Sequence, residues 1–460
     1  MPSLLNRHFP TDRNKFTVSR NLRNALWTLA VDDLLARSLI GALLCGIALT
    51  NEAGFADEEV VTTTPLVETP TVFAEDPAVN TLDAIGPGFA DVSFTGPPIG
   101  CLQPFTRPPS WGQVDFLLMW RQPQALPPLV TTSPPGTPLS QAGQLNEPTT
   151  TTQLGGRSQV SGPTAGGRID FGYWLNTCPQ VGIGGTFLAL GNSSLGYATD
   201  STTTPILTRP FLNVSDGQTA AMDTLIVSFP DEATGEIEVQ GASTLIIAEA
   251  YLRRAGHHNA GTPGDLVGGY QFSRIDGSLE ISSHSTALST SQLRVPGTTL
   301  SVLDSITTQN EFHGGQLGVL SDWNYGCFTI FGSFKLGLGN MRQRAVLTGQ
   351  TVINDSANSI IDPQGLLTRN TNIGTHERNV ITVIPQISLR GTYSVSHHVD
   401  VTIGYSLVFF PHVLQPTEQL DPDLAVNLAD PALGQQRPLF TFQSRDYWAQ
   451  GLTFGLRWNF

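Results

Sequence analysis

The chain has 460 residues with 46 glycines, 32 prolines and only 13% charged residues, and its formal net charge is -14. That charge argues against nucleic-acid binding, which needs clustered Lys and Arg opposite phosphates. The sequence has no uninterrupted run of eighteen apolar residues, so membrane-spanning helices are not expected and any crossing would be made by strands. Length alone allows several soluble domains or one large barrel with long loops.

Residues 1–56 predict a secretory signal peptide with a long basic beginning. Six basic and four acidic residues lie in this segment, an apolar run spans Leu39 to Leu49, and Gly54-Phe55-Ala56 offers a small-x-small cleavage site. Its net charge of +2 leaves -16 on a mature chain that begins at Asp57. A lipoprotein signal around Cys45 is the alternative, but the residue before this cysteine is not small.

Residues 57–110 are rich in Thr, Pro and acidic side chains without a sustained period, and they predict a flexible leader. Regular alternation then predicts three strands, with long insertions after the first and the third. The strands are Gln113–Trp120, Arg168–Leu175 and Val181–Leu190, and the insertions are 122–166 and 191–240. The second insertion has room for a small hairpin of Leu225–Phe229 with Ile237–Val239.

The middle of the chain predicts five further strands. They are Ala242–Leu252, Leu266–Arg274, Ser278–Ser283, Ser305–Leu320 and Cys327–Gly339. Asp276-Gly277 is a common two-residue hairpin sequence and predicts a turn. Gly314-Gly315 predicts a β-bulge, and Asn340 predicts the end of its strand.

The most regular hairpin joins Asn379–Tyr393 and His397–Phe410 through Ser394-Val395-Ser396. In both strands, apolar side chains occupy one face, and polar or charged side chains occupy the other. An Arg or Lys that faces lipid at mid-membrane costs about 2 to 4 kcal/mol, whereas a hydrated lumen tolerates it. The face that carries the charged residues is therefore expected to point into the barrel. A long loop from Pro411 to Ser444 follows.

The last segment, Tyr447–Phe460, alternates large apolar with small or polar residues. Its length suits a membrane crossing of about nine to eleven residues better than a soluble strand of about five or six. An amphipathic core strand of a soluble sandwich is the alternative. Trp448 and Trp458 bracket the apolar positions as interfacial girdles do, and Trp120 fits the same role. Phe460 resembles the terminal residue that barrel assembly machinery recognises.

These segments predict an all-β protein: a single transmembrane antiparallel up-and-down barrel of about twelve strands, in a range of about ten to fourteen, over residues 111–460. Long loops are expected on one side. Cys101 and Cys178 are expected on the other side and are the candidate disulfide pair. Cys327 is expected to begin a strand on the opposite side, beyond the Cα separation of about 4.4 to 6.8 Å that a disulfide needs.

Short sequence pieces along residues 111–460 also carry a family resemblance. They include Asp115-Phe116-Leu117-Leu118-Met119-Trp120, Gly268-Gly269-Tyr270-Gln271-Phe272, Asn310 with Phe312, Gly314, Gln316 and Gly318, Val383-Ile384-Pro385-Gln386, and Tyr447-Trp448-Ala449-Gln450-Gly451-Leu452. In this order they resemble the planctomycete putative beta-barrel porin family, the seventh family of that name. The resemblance implies a pore but supplies no substrate.

The predicted barrel favours an exported outer-membrane protein that acts as a passive pore for small polar solutes. The alternative is a closed structural or surface-binding barrel whose long loops engage partners without transport. The expected partners are outer-membrane lipid and barrel assembly machinery, with small polar solutes for a pore and no nucleic acid.

No enzymatic activity, cofactor or metal is expected. His257-His258 and His397-His398 lack a Ser/Asp arrangement for nucleophilic catalysis, and no Cys/His cluster with zinc spacing occurs in the sequence. Asp421, Asp423 and Asp430 lack EF-hand spacing, so they are expected to be solvated loop carboxylates.

Seven residues on the polar faces of their strands are candidates for lining a pore. They are Arg168, Asp170, Lys335, Arg390, His398, Asp400 and Arg457. Arg390 and Asp400 are equidistant from a turn centred near Val395, so they are expected to face each other across the hairpin. Basic residues are in slight excess, which would give an open pore a mild preference for anions.

Overall fold

The computed structural model describes residues 109–159, 162–175, 181–215, 219–256, 264–396, 398–426 and 436–459. The expected signal peptide, the leader except for its last two residues, Cys101, Cys178 and Phe460 lie outside these ranges. Across the described ranges, no helix is long and apolar enough to cross a membrane.

Ten antiparallel strands form a closed barrel. They are β1 (Ser110–Arg121), β2 (Thr164–Trp174), β3 (Val181–Asp200), β4 (Ala233–Arg254), β5 (Gly264–Ala287), β6 (Thr299–Tyr325), β7 (Phe328–Asn354), β8 (Gly374–Ser394), β9 (Val399–Val413) and β10 (Arg445–Asn459). Each strand pairs with its neighbours in the chain, and β1 pairs with β10 to close the cylinder. The up-and-down barrel is confirmed, and the expected count of about twelve is corrected to ten.

The two ends of the barrel differ in their connections. Segments 175–180, 255–263, 326–327 and 395–398 join strands at one end, called the turn end, where β1 begins and β10 finishes. Segments 122–163, 201–232, 288–298, 355–373 and 414–444 join strands at the other, called the loop end. Long loops therefore lie on one side, as expected.

Where they are described, the long loops carry short strands and two 3-10 helices. Val130–Thr132, Thr151–Leu154, Leu207–Asn213, Ala221–Ser228 and Asp423–Leu424 form a separate five-stranded sheet, Gln124–Ala125 pairs with Ser158–Gln159, Ser359–Asp362 extends the edge of β7, and the 3-10 helices are Leu139–Gln141 and Pro416–Gln419. The hairpin expected in the second insertion exists, but its strands are Leu207–Asn213 and Ala221–Ser228, because Ile237–Val239 belongs to β4.

Asp276-Gly277 lies inside β5 and makes no turn, which removes one expected hairpin. Asp276 is paired with Thr244 on one side and Gln309 on the other, so two continuous neighbours hold the chain extended. A Cβ on Gly277 would lie 2.8 Å from Cδ of Pro416, so a loop packed inside the barrel requires glycine there.

The expected β-bulge at Gly314-Gly315 and the expected strand end at Asn340 also lie within continuous strands. Gly314 and Gly315 pair without a shift of register on both sides of β6, and Asn340 pairs with His313 and Ile381 inside β7. The ladder shifts instead between Ser243 and Leu245 of β4, where it pairs with β3. Long paired neighbours override the local preference for a turn.

Cys327 lies in the two-residue turn between β6 and β7, at the turn end where β1 begins. The expectation that it starts a strand on the opposite side is wrong, because fewer strands precede it than were counted. Cys327 is also disulfide-bonded, although the expected topology placed it too far from Cys101 and Cys178 to pair with either. Its partner lies outside the described residues, and the pairing of Cys101 with Cys178 stays a prediction.

The outer face of the barrel changes from apolar to polar along the longer strands. Tyr270, Leu317 and Leu338 are exposed on the part nearer the turn end. Next toward the loop end comes a row of paired residues that runs across four strands, namely Arg274, Glu311, Arg342 and Asn379. β5, β6 and β7 have 24, 27 and 27 residues, against 12 in β1, so this side of the barrel extends beyond the row.

We expect Gly277→Val to destabilise the folded protein by about 1–3 kcal/mol, because the new side chain overlaps Pro416. The measurement is urea unfolding of the detergent-refolded protein. Gly196→Val on β3 is the control, since a Cβ at this position would have no neighbour within 4 Å. Equal stabilities of the two variants would contradict the close contact at Gly277.

Candidate functional site: the barrel interior

The inward side chains form three layers between the two ends. Nearest the turn end is a charged cavity, called the lower cavity. Above it lies an apolar layer, called the girdle, and toward the loop end the loops fill the barrel and form the plug. Each layer arises because alternate residues of every strand point inward.

The lower cavity measures about 70 Å³ and is lined by both polar and apolar side chains. Five of the seven residues expected to line a pore line this cavity, namely Arg168, Asp170, Lys335, Arg390 and Arg457. A water molecule needs roughly 10–15 Å³ of such space, so the cavity holds a few waters and no sugar-sized solute. Whether these residues line a conducting pore stays a prediction.

The other two candidates are placed differently. Asp400 is buried, but it is paired with Ser394 on β8 and Arg457 on β10. Arg390 is paired with Gly404, so the expected pairing of Arg390 with Asp400 is wrong. The β8–β9 turn is centred at position 397 and not at Val395, which moves every pair along the hairpin. His398 is exposed in that turn, outside the cavity.

Among the described residues, three buried ion pairs lie in the lower part of the barrel, two between neighbouring strands and one across the lumen. Arg168 lies 2.7 Å from Asp115, Lys335 lies 2.5 Å from Glu249, and Arg253 lies 2.6 Å from Asp265. Sequence reasoning did not single out Asp115, Glu249, Arg253 or Asp265. Alternation along β4 did indicate an inward position for Glu249, because it lies on the same face of the strand as the buried residues Leu245 and Ile247.

Aromatic side chains surround Arg253 at the turn end. Its guanidinium carbon lies 5.3 Å from the ring centre of Trp111 and 5.2 Å from that of Trp174. Both rings are buried although their strands begin or end there. These cation–π contacts hold the rings over the turn-end part of the cavity.

The girdle is a single contiguous cluster of buried apolar residues to which nine of the ten strands contribute. Its members are Leu117, Met119, Leu188, Leu190, Leu245, Ile247, Ile275, Phe312, Met341, Ile384, Val408, Phe410, Val413, Tyr447 and Ala449. Phe312 is fully buried within it. The girdle therefore interrupts the polar lining of the barrel.

The plug is a second apolar core, built jointly by loops and barrel wall. Loop residues such as Leu129, Phe211 and Leu420 pack with wall residues such as Ile281 and Ile306. The five-stranded sheet of the loops contributes half of the buried loop residues. Loops from different parts of the chain thus fold into the barrel and bury its loop-end half.

Asn310 fastens the last loop to the wall. Its side-chain oxygen accepts a hydrogen bond from the backbone N–H of Leu414 at 2.8 Å, and its amide nitrogen donates to the Leu414 carbonyl at 2.9 Å. Gln343 donates to Asn310 Oδ1 at 3.1 Å and also to the His412 carbonyl. These side chains satisfy backbone groups that no longer have a neighbouring strand to pair with, because the chain leaves the sheet at this point.

Asp304 fastens two further loops. Its carboxylate lies 2.5 Å from Arg209 Nη2 and accepts hydrogen bonds from the backbone N–H groups of Leu367 and Thr368, both at 2.9 Å. The Thr368 hydroxyl adds a fourth contact at 2.7 Å. Asp304 and Arg209 are both buried, so each supplies the counter-charge that burial of the other requires.

The inward face of β6 explains one of the sequence pieces quoted above. Asn310 clamps the last loop, and Phe312 belongs to the girdle. A Cβ on Gly314 would lie 2.5 Å from Cζ of Phe312, and one on Gly318 would lie 2.8 Å from Cγ of Lys335. The piece therefore encodes alternate large side chains and the spaces that accommodate them.

At the edge of the plug, Arg437 Nη1 lies 2.8 Å from Asp421 and 3.7 Å from Asp423. Burial raises the pKa of the Asp423 carboxyl, Asp421 raises it further, and Arg437 opposes both effects. A raised pKa means that the stability contributed by protonated Asp423 is lost as pH rises through that pKa. Asp421 and Asp423 thus sit in an ion-paired loop, and Asp430 lies outside the described residues.

The tryptophans expected at the two edges of the membrane band point outward from the barrel. Trp120 is exposed and Trp448 and Trp458 are half-buried. Tyr173, Tyr325 and Tyr393 are also exposed at the turn end, and sequence reasoning did not single them out for this role. Their positions at strand ends were the available signal. In the described part of the chain, no group of three or more His, Cys, Asp or Glu is arranged to hold a metal ion.

A family model described as Putative beta barrel porin-7 (BBP7) matches residues 111–460. Among solved structures, the outer membrane protease OmpT from Escherichia coli is 11% identical with a TM-score of 0.37, and the match covers 76% of this chain and 96% of that one. The Pseudomonas putida toluene transporter TodX is 8% identical with a TM-score of 0.16, over 77% and 91% of the two chains. A Pseudomonas aeruginosa FadL homologue is 8% identical with a TM-score of 0.17, over 77% and 93%. No curated protein matches the sequence.

We expect Asp304→Ala to cost about 3–5 kcal/mol, because it leaves the buried Arg209 guanidinium without its partner. Urea unfolding gives the free energy, and limited proteolysis of segments 201–232 and 355–373 reports release of the plug. Glu418→Ala breaks the more exposed pair with Arg445 and should cost about 0–1 kcal/mol. An Asp304 variant as stable and as resistant as that control would refute the fastening role.

Proposed function

Because the chain belongs to the Putative beta barrel porin-7 family, we propose that it is an outer-membrane barrel whose interior is closed and whose loop end faces the exterior. The observation that carries the closed interior is the girdle, since nine strands place apolar side chains across the lumen. The plug adds a second apolar layer. An aqueous path for polar solutes would have to displace both.

The outer face supports placement in a membrane. Trp448 and Trp458 are ten residues apart on β10, which is roughly 33 Å along the strand at about 3.3 Å per residue. At a tilt near 40° this spans about 25 Å along the barrel axis, the height of an outer-membrane apolar band. Leu452, Phe454 and Leu456, between the two tryptophans, are all exposed.

In this proposal the loop end serves as a displayed surface, supported from inside by the plug. Outer-membrane lipid contacts the apolar outer face, and barrel assembly machinery completes the pairing of β10 with β1. We assign no catalytic step to the protein. Its role is that of an anchored structural or binding protein, with the loop end as the part available to partners.

A passive pore for small polar solutes is the second candidate. The charged lining of the lower cavity favours it, because five cationic side chains reach that part of the lumen, namely Arg168, Arg253, Lys335, Arg390 and Arg457. A pore requires the girdle and the plug to move together. The two candidates therefore differ in one measurable property, ion conductance.

We expect the purified full chain to give no stepwise conductance in planar lipid bilayers, because apolar layers exclude hydrated ions. Incorporation is verified independently by the slower gel migration of the heated protein, which reports a folded barrel. Reproducible channel steps from verified samples would overturn the closed interior and favour the pore.

A further inference from the structure

Arg390 is a buried cation on the inward face of β8. The residue is 7% exposed, and its guanidinium carbon lies 4.4 Å from the ring centre of Phe331. Its stem passes close over Gly404, where no side chain intervenes. Among the described residues, no carboxylate lies within 4.0 Å of its guanidinium, and its Nε has no hydrogen-bond partner.

The nearest carboxylates are engaged by other side chains. Asp115 accepts hydrogen bonds from Arg168 Nε at 2.8 Å and Gln113 at 2.7 Å, besides its 2.7 Å contact with Arg168 Nη2. Asp170 accepts from Trp111 Nε1 at 3.4 Å and from the Tyr251 hydroxyl at 3.2 Å. These bonds orient both carboxylates toward other partners.

Asp322 also lines the cavity and lies 3.5 Å from Arg253 Nη2, and Glu249 is engaged as well. Glu249 lies 2.5 Å from Lys335 and accepts a hydrogen bond from Gln386 at 2.7 Å. Arg457 lies opposite Asp400 across the β9–β10 ladder. Among the described residues, Arg390 is thus the buried cation of the cavity that makes no ion pair within 4.0 Å, whereas Arg457, which also makes none, is half-buried.

Repulsion from other positive charges adds to the free-energy cost of burying the Arg390 guanidinium. Arg168, Arg253 and Arg457 line the same cavity as Arg390, so four guanidinium groups share a small space. A buried charge without a counter-charge is strongly disfavoured unless a partner compensates it. The structure therefore contains a preformed position for a negative charge.

We propose that the lower cavity binds one small monovalent anion of halide size against the Arg390 guanidinium. The volume of about 70 Å³ excludes sugars and nucleotides, and the buried Arg390 guanidinium, which makes no ion pair among the described residues, sets the sign of the charge. Asp322 lines the cavity and its side chain is 25% exposed, so the anion enters from the turn end. The inference rests on the interior geometry alone and holds for a closed barrel or a pore.

Bromide is the probe, because its anomalous scattering identifies its position. Crystals of the full chain soaked in bromide should show an anomalous peak beside Arg390, and crystals of Arg390→Gln should lack it. Arg445→Gln removes an arginine that lies outside the cavity and should keep the peak. No peak at Arg390 in the wild type, or an equal peak in Arg390→Gln, would overturn the proposal.

Thermal unfolding in detergent tests the same site in solution. The melting temperature of the wild type should be higher in bromide than in gluconate at equal ionic strength, because only the small anion enters and stabilises the folded state. Arg390→Gln should lose this difference, with at least a tenfold weaker apparent affinity, and Arg445→Gln should retain it.

Arg390→Lys keeps the charge and covers the case in which Arg390→Gln does not fold. It should retain a smaller bromide-dependent shift than the wild type. The same melting temperature in both salts for the wild type would refute anion binding, as would an undiminished shift in Arg390→Gln.

Discussion

Pairing of β1 with β10 satisfies the last open edge of the sheet, and the facing of every side chain then follows by alternation from one register. A slip of one residue anywhere would move Arg168 or Arg390 to the outer face and expose the apolar side chains of the same strand to the lumen. The outer surface, the charged cavity and the apolar layers are consequences of this single closed ladder.

Enclosing charge beside apolar side chains requires mutual compensation among the charges. The lower part of the barrel meets this requirement with pairs that join different strands, such as Lys335 of β7 with Glu249 of β4. The Lys335–Glu249 pair crosses the lumen between strands that are not neighbours, whereas Arg168–Asp115 and Arg253–Asp265 join neighbouring strands. The loop-end half uses another solution, since Asp304 and Asn310 bind loop backbone with side-chain hydrogen bonds.

Alternation was readable from the sequence wherever it was strong. The inward positions of Arg168, Lys335 and Arg390 follow from parity within their own strands, and the structure has them inward. Strand limits were not readable in the same way, because Asp276-Gly277 is a turn sequence held extended by β4 and β6. Local preference cannot reveal the neighbours that override it.

The plug was beyond sequence reasoning for a related reason. Its apolar residues, such as Leu129, Phe211 and Leu420, lie singly or in short groups within Pro-, Gly- and Thr-rich loops, and they meet only in the folded chain. The register of the β8–β9 hairpin was missed by a smaller margin. A turn centred two residues later placed Gly404, not Asp400, opposite Arg390.

The unequal strand lengths make the barrel lopsided in height. β5, β6 and β7 continue well past the row of Arg274, Glu311 and Arg342, whereas β1, β9 and β10 have only 12 to 15 residues. In the proposed outer-membrane location, a barrel of this shape presents a tall polar wall to neighbours on one flank and a low rim on the other. Molecules diffusing in the plane of the bilayer approach the low flank more closely, so lateral crowding around the protein is directional.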